Sequence, residues 1–292
     1  MTAVQPAVKP FDIEAADQAV GVRPETAVRL MQLAADEEAT NEQLQQVIDA
    51  DPSMAMRTLK LANSALYGMS QRISRIERAI TMLGRVTVAN LAAATSVEAA
   101  FRSIKVDAPG ITPGTPWRYS ISVAFATDTI VRECQSLSSV ARRKLSAEAF
   151  VAGLIHDIGT LVQAKQSSKA FAASVNASIK SGIPLVVHER RLIGIDHADI
   201  GGRLARHWNL PPELANAVEF HHDPLAAELD FRRIACIIHV AAQLVRKAGI
   251  MSYDGDTDML HLEPAMSQLR MDPRRLDRIV STLGERLREV PA

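Results

Sequence analysis

Apolar residues recur along this chain with the 3.6-residue period of helices, and no useful stretch shows the two-residue alternation of strands. Ala27, Leu30, Met31 and Ala34 fall on one stripe behind Pro24, and Thr40 with Gln43 forms a capping-box pattern ahead of Leu44, Val47 and Ile48. Asp51 before Pro52 reads as an N-cap with a first-turn proline, Ser74 with Glu77 as another capping box, and Gly84 as punctuation before Val88, Leu91 and Ala92. The run 107–116, Asp-Ala-Pro-Gly-Ile-Thr-Pro-Gly-Thr-Pro, concentrates breakers and marks a boundary between two subdomains. Beyond it, helical patterns lie near 117–134, 146–156, 160–181, 184–192, 197–207, 211–222 and 231–248. A last amphipathic helix carries Leu276, Ile279, Val280, Leu283 and Leu287 on one stripe.

The expectation is therefore an all-α protein with no internal repeat. Residues 1–15 read as a mobile tail, 16–108 as an N-terminal helical bundle subdomain, 109–250 as a second helical subdomain, and 251–292 as a loop with the amphipathic helix.

Composition narrows the function classes. With 292 residues, 47% of them hydrophobic, the chain can bury a sizeable core. Its 33 basic and 33 acidic residues leave no bulk field to draw it onto nucleic acid or an anionic membrane. Arg270, Arg274, Arg275 and Arg278 are interleaved with Asp272 and Asp277 and read as a solvated face. The two cysteines, Cys134 and Cys236, sit in apolar segments without CxxC spacing, which argues against disulfides and thiolate zinc and fits a reducing compartment. Met1 to Lys9 lacks a continuous apolar stretch, and no run approaches the roughly 18 apolar residues of a membrane span. A cytoplasmic protein with no membrane partner is expected. Asp254 to Asp258 resembles a calcium loop, but Met259 and Ala265 stand where glycine and glutamate belong. Five methionines, Met31, Met54, Met56, Met69 and Met82, fall at apolar helical positions and read as core filling, with a surface that adapts to partners as the alternative. Asn63 is expected to bond to backbone near a helix end and fix the turn at Gly68.

Candidate chemistry gathers on histidines. In Gly153-Leu154-Ile155-His156-Asp157-Ile158-Gly159 an imidazole and a carboxylate stand side by side where an apolar helix ends. That ligand mix suits zinc, manganese or iron. Neighbouring helical positions diverge by about 100°, so both reach one ion only beside a helix terminus. His197 starts a later helix and His221-His222 ends another. Taken singly, each is more simply a capping or buried polar residue; taken together they point to a metal centre.

These residues resemble the metal-dependent HD phosphohydrolase superfamily, especially the residue order of its cyclic-dinucleotide phosphodiesterases. The closer resemblance is to the regulatory HDOD family. It rests on Leu61-Ala62-Asn63-Ser64-Ala65-Leu66-Tyr67-Gly68, Ile76-Glu77-Arg78-Ala79-Ile80-Thr81-Met82-Leu83-Gly84, Asp196-His197-Ala198-Asp199-Ile200-Gly201, and Trp208-Asn209-Leu210-Pro211-Pro212-Glu213 leading to His221-His222-Asp223-Pro224. The matching series runs in order over roughly residues 18–245. The resemblance implies that the second subdomain is HD-like, with His156, Asp157, His197, His221 and His222 as its remaining metal ligands. It also implies two losses, since Tyr119 stands at the place of a first histidine ligand and Ala242 at that of a distal aspartate. Thr160 replaces a lysine that could hold phosphate.

Charge arithmetic agrees. Two divalent ions bring four positive charges, and a shell with Asp157 as its one anion leaves about three of them to be offset. A binuclear hydrolase is therefore disfavoured; no cofactor is expected to be required, and a single iron, manganese or zinc ion is the one this set could hold. Glu189 reads as a solvated helix charge, with a supporting role beside a histidine as its alternative. The expected function is non-catalytic regulation through a small ligand or a protein partner, and the family resemblance implies signalling pathways that include cyclic-dinucleotide ones. A phosphohydrolase or phosphodiesterase with one ion is the alternative.

Overall fold

The computed structural model describes residues 11–21, 24–64, 67–112, 114–134, 138–250 and 261–288, which contain helices and turns and no strand. The N-terminal half forms α1 (Ile13–Val20), α2 (Glu25–Ala35), α3 (Asn41–Asp49), α4 (Pro52–Ala62), α5 (Ile76–Leu83) and α6 (Arg85–Arg102). The remainder forms α7 (Thr115–Glu133), α8 (Ser139–Ile155), α9 (Ile158–Gln166), α10 (Ser168–Ser181), α11 (Leu185–Leu192), α12 (His197–His207), α13 (Pro212–Glu219), α14 (Arg232–Lys247), α15 (Leu262–Gln268) and α16 (Leu276–Arg288).

Local chemistry sets most of the starts. The Thr40–Gln43 box forms in both directions, at 3.2 and 2.8 Å, and Asp51 accepts from the amides of Ser53 and Met54. Asp12 caps α1 in the same way, so helix begins at Ile13, inside the stretch expected to be tail; residues 1–10 lie outside the described ones. The Ser74–Glu77 box does not form. The N-cap of α5 is Arg75, one residue later, which puts Glu77 a position too early to reach back. The pattern over 160–181 is two helices, because Ser167 leaves the helical region at φ −133° and ψ 38°. Ser138 caps α8 and starts it at Ser139, ahead of the expected 146. Asn63 accepts from the amide of Ile73 and donates to the carbonyls of Leu59 and Ile73, each at 2.7 Å. It thereby ties the end of α4 to the segment entering α5, across a chain that turns at Gly68 with φ 56°.

Packing joins the two halves. α6 lies against α2, α4 and α8, while α7 packs on α8 and α14, and α12 on α9 and α13. One apolar core runs from Ala16 through Leu91, Phe101, Phe150 and Leu214 to Leu283. Contrary to the expectation from the sequence, the run Ser139–Gln166 has the length and apolar character of a membrane span, yet 94% of its apolar window is buried. Core packing accounts for that apolarity. Met31 and Met54 are buried as expected, whereas Met56 and Met82 are 68% and 51% exposed. The acidic run 254–258 lies outside the described residues, as do the side chains of Arg275, Arg278 and Leu287.

Candidate metal centre

The centre forms where three helix ends meet. His156 and Asp157 occupy the turn between α8 and α9, and Asp157 departs from ideal helix geometry at φ −93° and ψ 17°. That turn resolves the divergence expected of adjacent helical side chains. α9 then passes so close to the first turn of α12 that a Cβ on Gly159 would lie 2.0 Å from the carbonyl oxygen of His197. Glycine is the residue that permits this approach. At Gly201 and Gly202 a Cβ would meet Val218 at 2.7 Å and Glu219 at 2.6 Å, so both glycines seat α12 on α13 and bring His221 and His222 to the same place.

Hydrogen bonds fix which nitrogen each ring offers. The Nδ1 atoms of His156 and His221 lie 2.7 Å from the carbonyl oxygens of Gly153 and Val218, so in the neutral rings Nδ1–H donates outward and Nε2 carries the inward lone pair. Those Nε2 atoms stand 3.4 and 3.6 Å from the Asp157 carboxylate, and His197 Nε2 stands 3.3 Å from it. His222 Nε2 is 3.0 Å from His197 Nε2. His221 Nε2 is buried and has no hydrogen-bond partner among the described residues. Lone pairs converging on a carboxylate repel it unless a cation or a proton lies among them. Two overlapping triads meet the spacing for one ion, His197 with His221 and His222, and His156 with Asp157 and His221; within each, the ligand atoms lie within 4.8 Å of one another. The donor set therefore fits a divalent ion of the zinc, manganese or iron type. Such an ion would supply Lewis acidity and lower the pKa of a bound water.

Glu189 changes the charge count. It is fully buried on α11, and its Oε2 accepts from the amide of His197 at 3.0 Å and from His197 Nδ1 at 2.8 Å. The solvated-charge reading is therefore wrong: Leu185, Val186 and Glu189 share the inward face of α11, and the acid orients the His197 ring. Burial disfavours charge on His197, but the carboxylates of Glu189 and Asp157 more than offset it and hold the ring well above its ordinary pKa. Burial alone would raise Asp157, and the rings of His156, His197 and His221 instead hold it below the usual carboxylate range. His156, His221 and His222 are pushed down by burial, which keeps them neutral and able to ligate.

All five anticipated ligands thus come together. Tyr119 is buried with its ring 5.7 Å from that of His156, and the Arg246 guanidinium lies 5.7 Å from the Tyr119 centroid. Ala242 is buried on α14, and the Thr160 hydroxyl donates to the Asp157 carbonyl at 2.6 Å. Two contributors escaped the sequence reading altogether. Gly159 sets the helix approach, and His239, pushed down to about 4 chiefly by burial, has Nδ1 2.9 Å from the His221 carbonyl oxygen.

Fold and site define an all-helical protein in which four histidines and an aspartate gather in one largely buried cluster. The HDOD domain family matches residues 21–224, more than half of the chain, and this protein belongs to that family. An HDOD domain protein of unknown function from Geobacter sulfurreducens shares the fold with a TM-score of 0.77 at 22% identity, covering 95% of this chain and 97% of that one. A Shewanella amazonensis SB2B protein, provisionally named a phosphohydrolase, shares it with a TM-score of 0.66 at 24% identity, covering 94% and 98%. An uncharacterized protein of Treponema pallidum (strain Nichols) is 22% identical over 200 residues, which are 68% of this chain and 37% of that protein. The chain thus spans little more than a third of that curated relative's length.

Proposed function

We propose that this chain is a non-catalytic regulator whose histidine centre holds one divalent ion in a structural or ligand-sensing role. The observation that carries this reading is that both candidate triads need the same atom, His221 Nε2, because its Nδ1 faces the Val218 carbonyl. Two ions would compete for that nitrogen. One divalent ion is also balanced by the two carboxylates Asp157 and Glu189, whereas a second would leave about two buried charges uncompensated, at a cost of several kcal/mol. Output then passes through contact with a protein partner in a signalling pathway, as the family resemblance implies.

A rival reading, hydrolysis of a phosphoester with one ion, draws support from the Glu189–His197 pair, a carboxylate–imidazole arrangement common at catalytic metals. Metal titration separates the two when combined with turnover assays on phosphodiester and nucleotide substrates. The regulatory reading expects one equivalent of zinc, manganese or iron and no turnover. Two tightly held ions, or turnover abolished by Asp157→Ala, would sink it.

A further inference from the structure

α10 and α11 pack on each other, and the charges they carry are of one sign at the surface. From Gly159 to Ile195 the chain has five cations, Lys165, Lys169, Lys180, Arg190 and Arg191, and one acid, Glu189, which is fully buried against His197. The whole chain is neutral, so this cationic surface is local. Lys165 Nζ donates to the Ala19 carbonyl and Arg190 Nε to Asp196, whereas Lys180 and Arg191 are exposed and form no ion pair among the described residues.

Apolar side chains are interleaved with these cations. Ile183, Val187 and Leu192 are 44%, 50% and 46% exposed, and they make up three of the seven large hydrophobic residues left exposed among the described ones. Single exposed apolar residues are ordinary, but three within one short stretch mark a contact surface. The helical period sets the arrangement: Leu185, Val186 and Glu189 take the inward face of α11, which leaves Val187 and Arg191, four apart, side by side on the outward one. α11 thus has the acid that orients His197 on one side and a mixed apolar and cationic face on the other.

We propose that this outward face of α11, with Ile183 and Lys180 beside it, docks an acidic segment of a protein partner that carries apolar side chains among its carboxylates. Lys180 and Arg191 supply the complementary charge, and the three half-exposed aliphatic residues gain from losing water only against an apolar counterpart. A bilayer is a poorer match, because membrane-surface helices separate a broad apolar face from a cationic one, whereas α11 turns Leu185 and Val186 inward and mixes Val187 with Arg191 outside. A nucleic-acid backbone would satisfy the cations and leave the apolar side chains without a counterpart. The inference rests on the regulatory reading above and names the chemistry of the partner that reading requires.

Fluorescence anisotropy of the full chain with a labelled synthetic peptide, leucines at helical spacing and glutamates elsewhere, tests it. This peptide is expected to bind saturably below about 1 mM and less tightly as salt is raised. The same peptide with lysines for glutamates, and a polyglutamate of equal length, are each expected to bind at least about tenfold more weakly. Val187→Glu and Arg191→Glu, both at exposed positions, are each expected to weaken the glutamate–leucine peptide at least about tenfold with the melting temperature little changed. Leu229→Glu, at a 79% exposed residue between α13 and α14, is expected to leave its binding as in the wild type. Metal content and turnover of the same preparation judge the regulatory reading separately. The proposal is overturned by absence of saturable binding, by equal affinity for either control peptide, by wild-type affinity in both folded α11 variants, or by an equal loss in Leu229→Glu. Binding to phosphatidylglycerol vesicles that both α11 variants abolish, without binding of the peptide, would overturn it in favour of a membrane surface.

Discussion

Replacing Glu189 probes the centre most directly, because the side chain is fully buried and both of its hydrogen bonds go to His197. Both bonds land on one oxygen, Oε2, while Oε1 has no partner among the described residues. Glu189→Gln can therefore keep both bonds through its carbonyl oxygen and lose only their charge assistance, a cost of about 1–2 kcal/mol. Glu189→Ala removes both and strands the first amide of α12 together with His197 Nδ1, at about 3–5 kcal/mol. Set against the roughly 5–15 kcal/mol of a typical domain, the alanine variant is marginal and the glutamine variant folds. Urea denaturation of metal-free protein should rank wild type above Gln above Ala. A chromophoric chelator competing for zinc should find Glu189→Gln about 10- to 100-fold weaker, the usual effect of removing a carboxylate that orients a metal-binding histidine. An alanine variant with the wild-type midpoint, or a glutamine variant with wild-type zinc affinity, would refute the assignment of Glu189 as the residue that orients His197.

Three further outcomes follow from the same geometry. Gly159→Ala places a methyl against the His197 backbone, so it should cost at least about 1–3 kcal/mol in urea denaturation and weaken zinc binding by moving α12 off α9. Asn63→Ala removes three short backbone bonds remote from the centre and should cost about 2–3 kcal/mol with zinc affinity unchanged; a loss of zinc binding in folded protein would contradict that separation. The raised pKa of His197 gives the metal-free protein stability that is complete below an unfolded value of about 6.5 and fades as pH rises through the folded value. Melting temperatures measured from pH 6 upward should therefore show His197 contributing a downward slope, flatter in Glu189→Gln, while zinc affinity rises over the same range as the proton leaves. An identical slope in the variant would count against the Glu189–His197 coupling.

Much of this protein is written in short-range signals. The helical period, the Thr40–Gln43 box, the Asp51–Pro52 start and the ordered motifs from Asn63 to His222 depend on neighbours within about one helical turn or on identity alone, and they established the all-helical fold and the five candidate ligands. The failures lie where a residue's state depends on what packs against it. Ser74 and Glu77 have the residue types of a cap, but the chain path places the N-cap one position later. Glu189 has the composition of a surface charge, and only the fit of α11 against α12 buries it and gives it His197 as a partner. Gly159 carries no sign of its role in the sequence, and only the α12 backbone lying where its side chain would be reveals it. Sequence thus specified which chemical groups are present and their local conformation. Tertiary packing decided which of them lose water, and with it their charge balance, because burial is a property of contacts between segments distant in the chain.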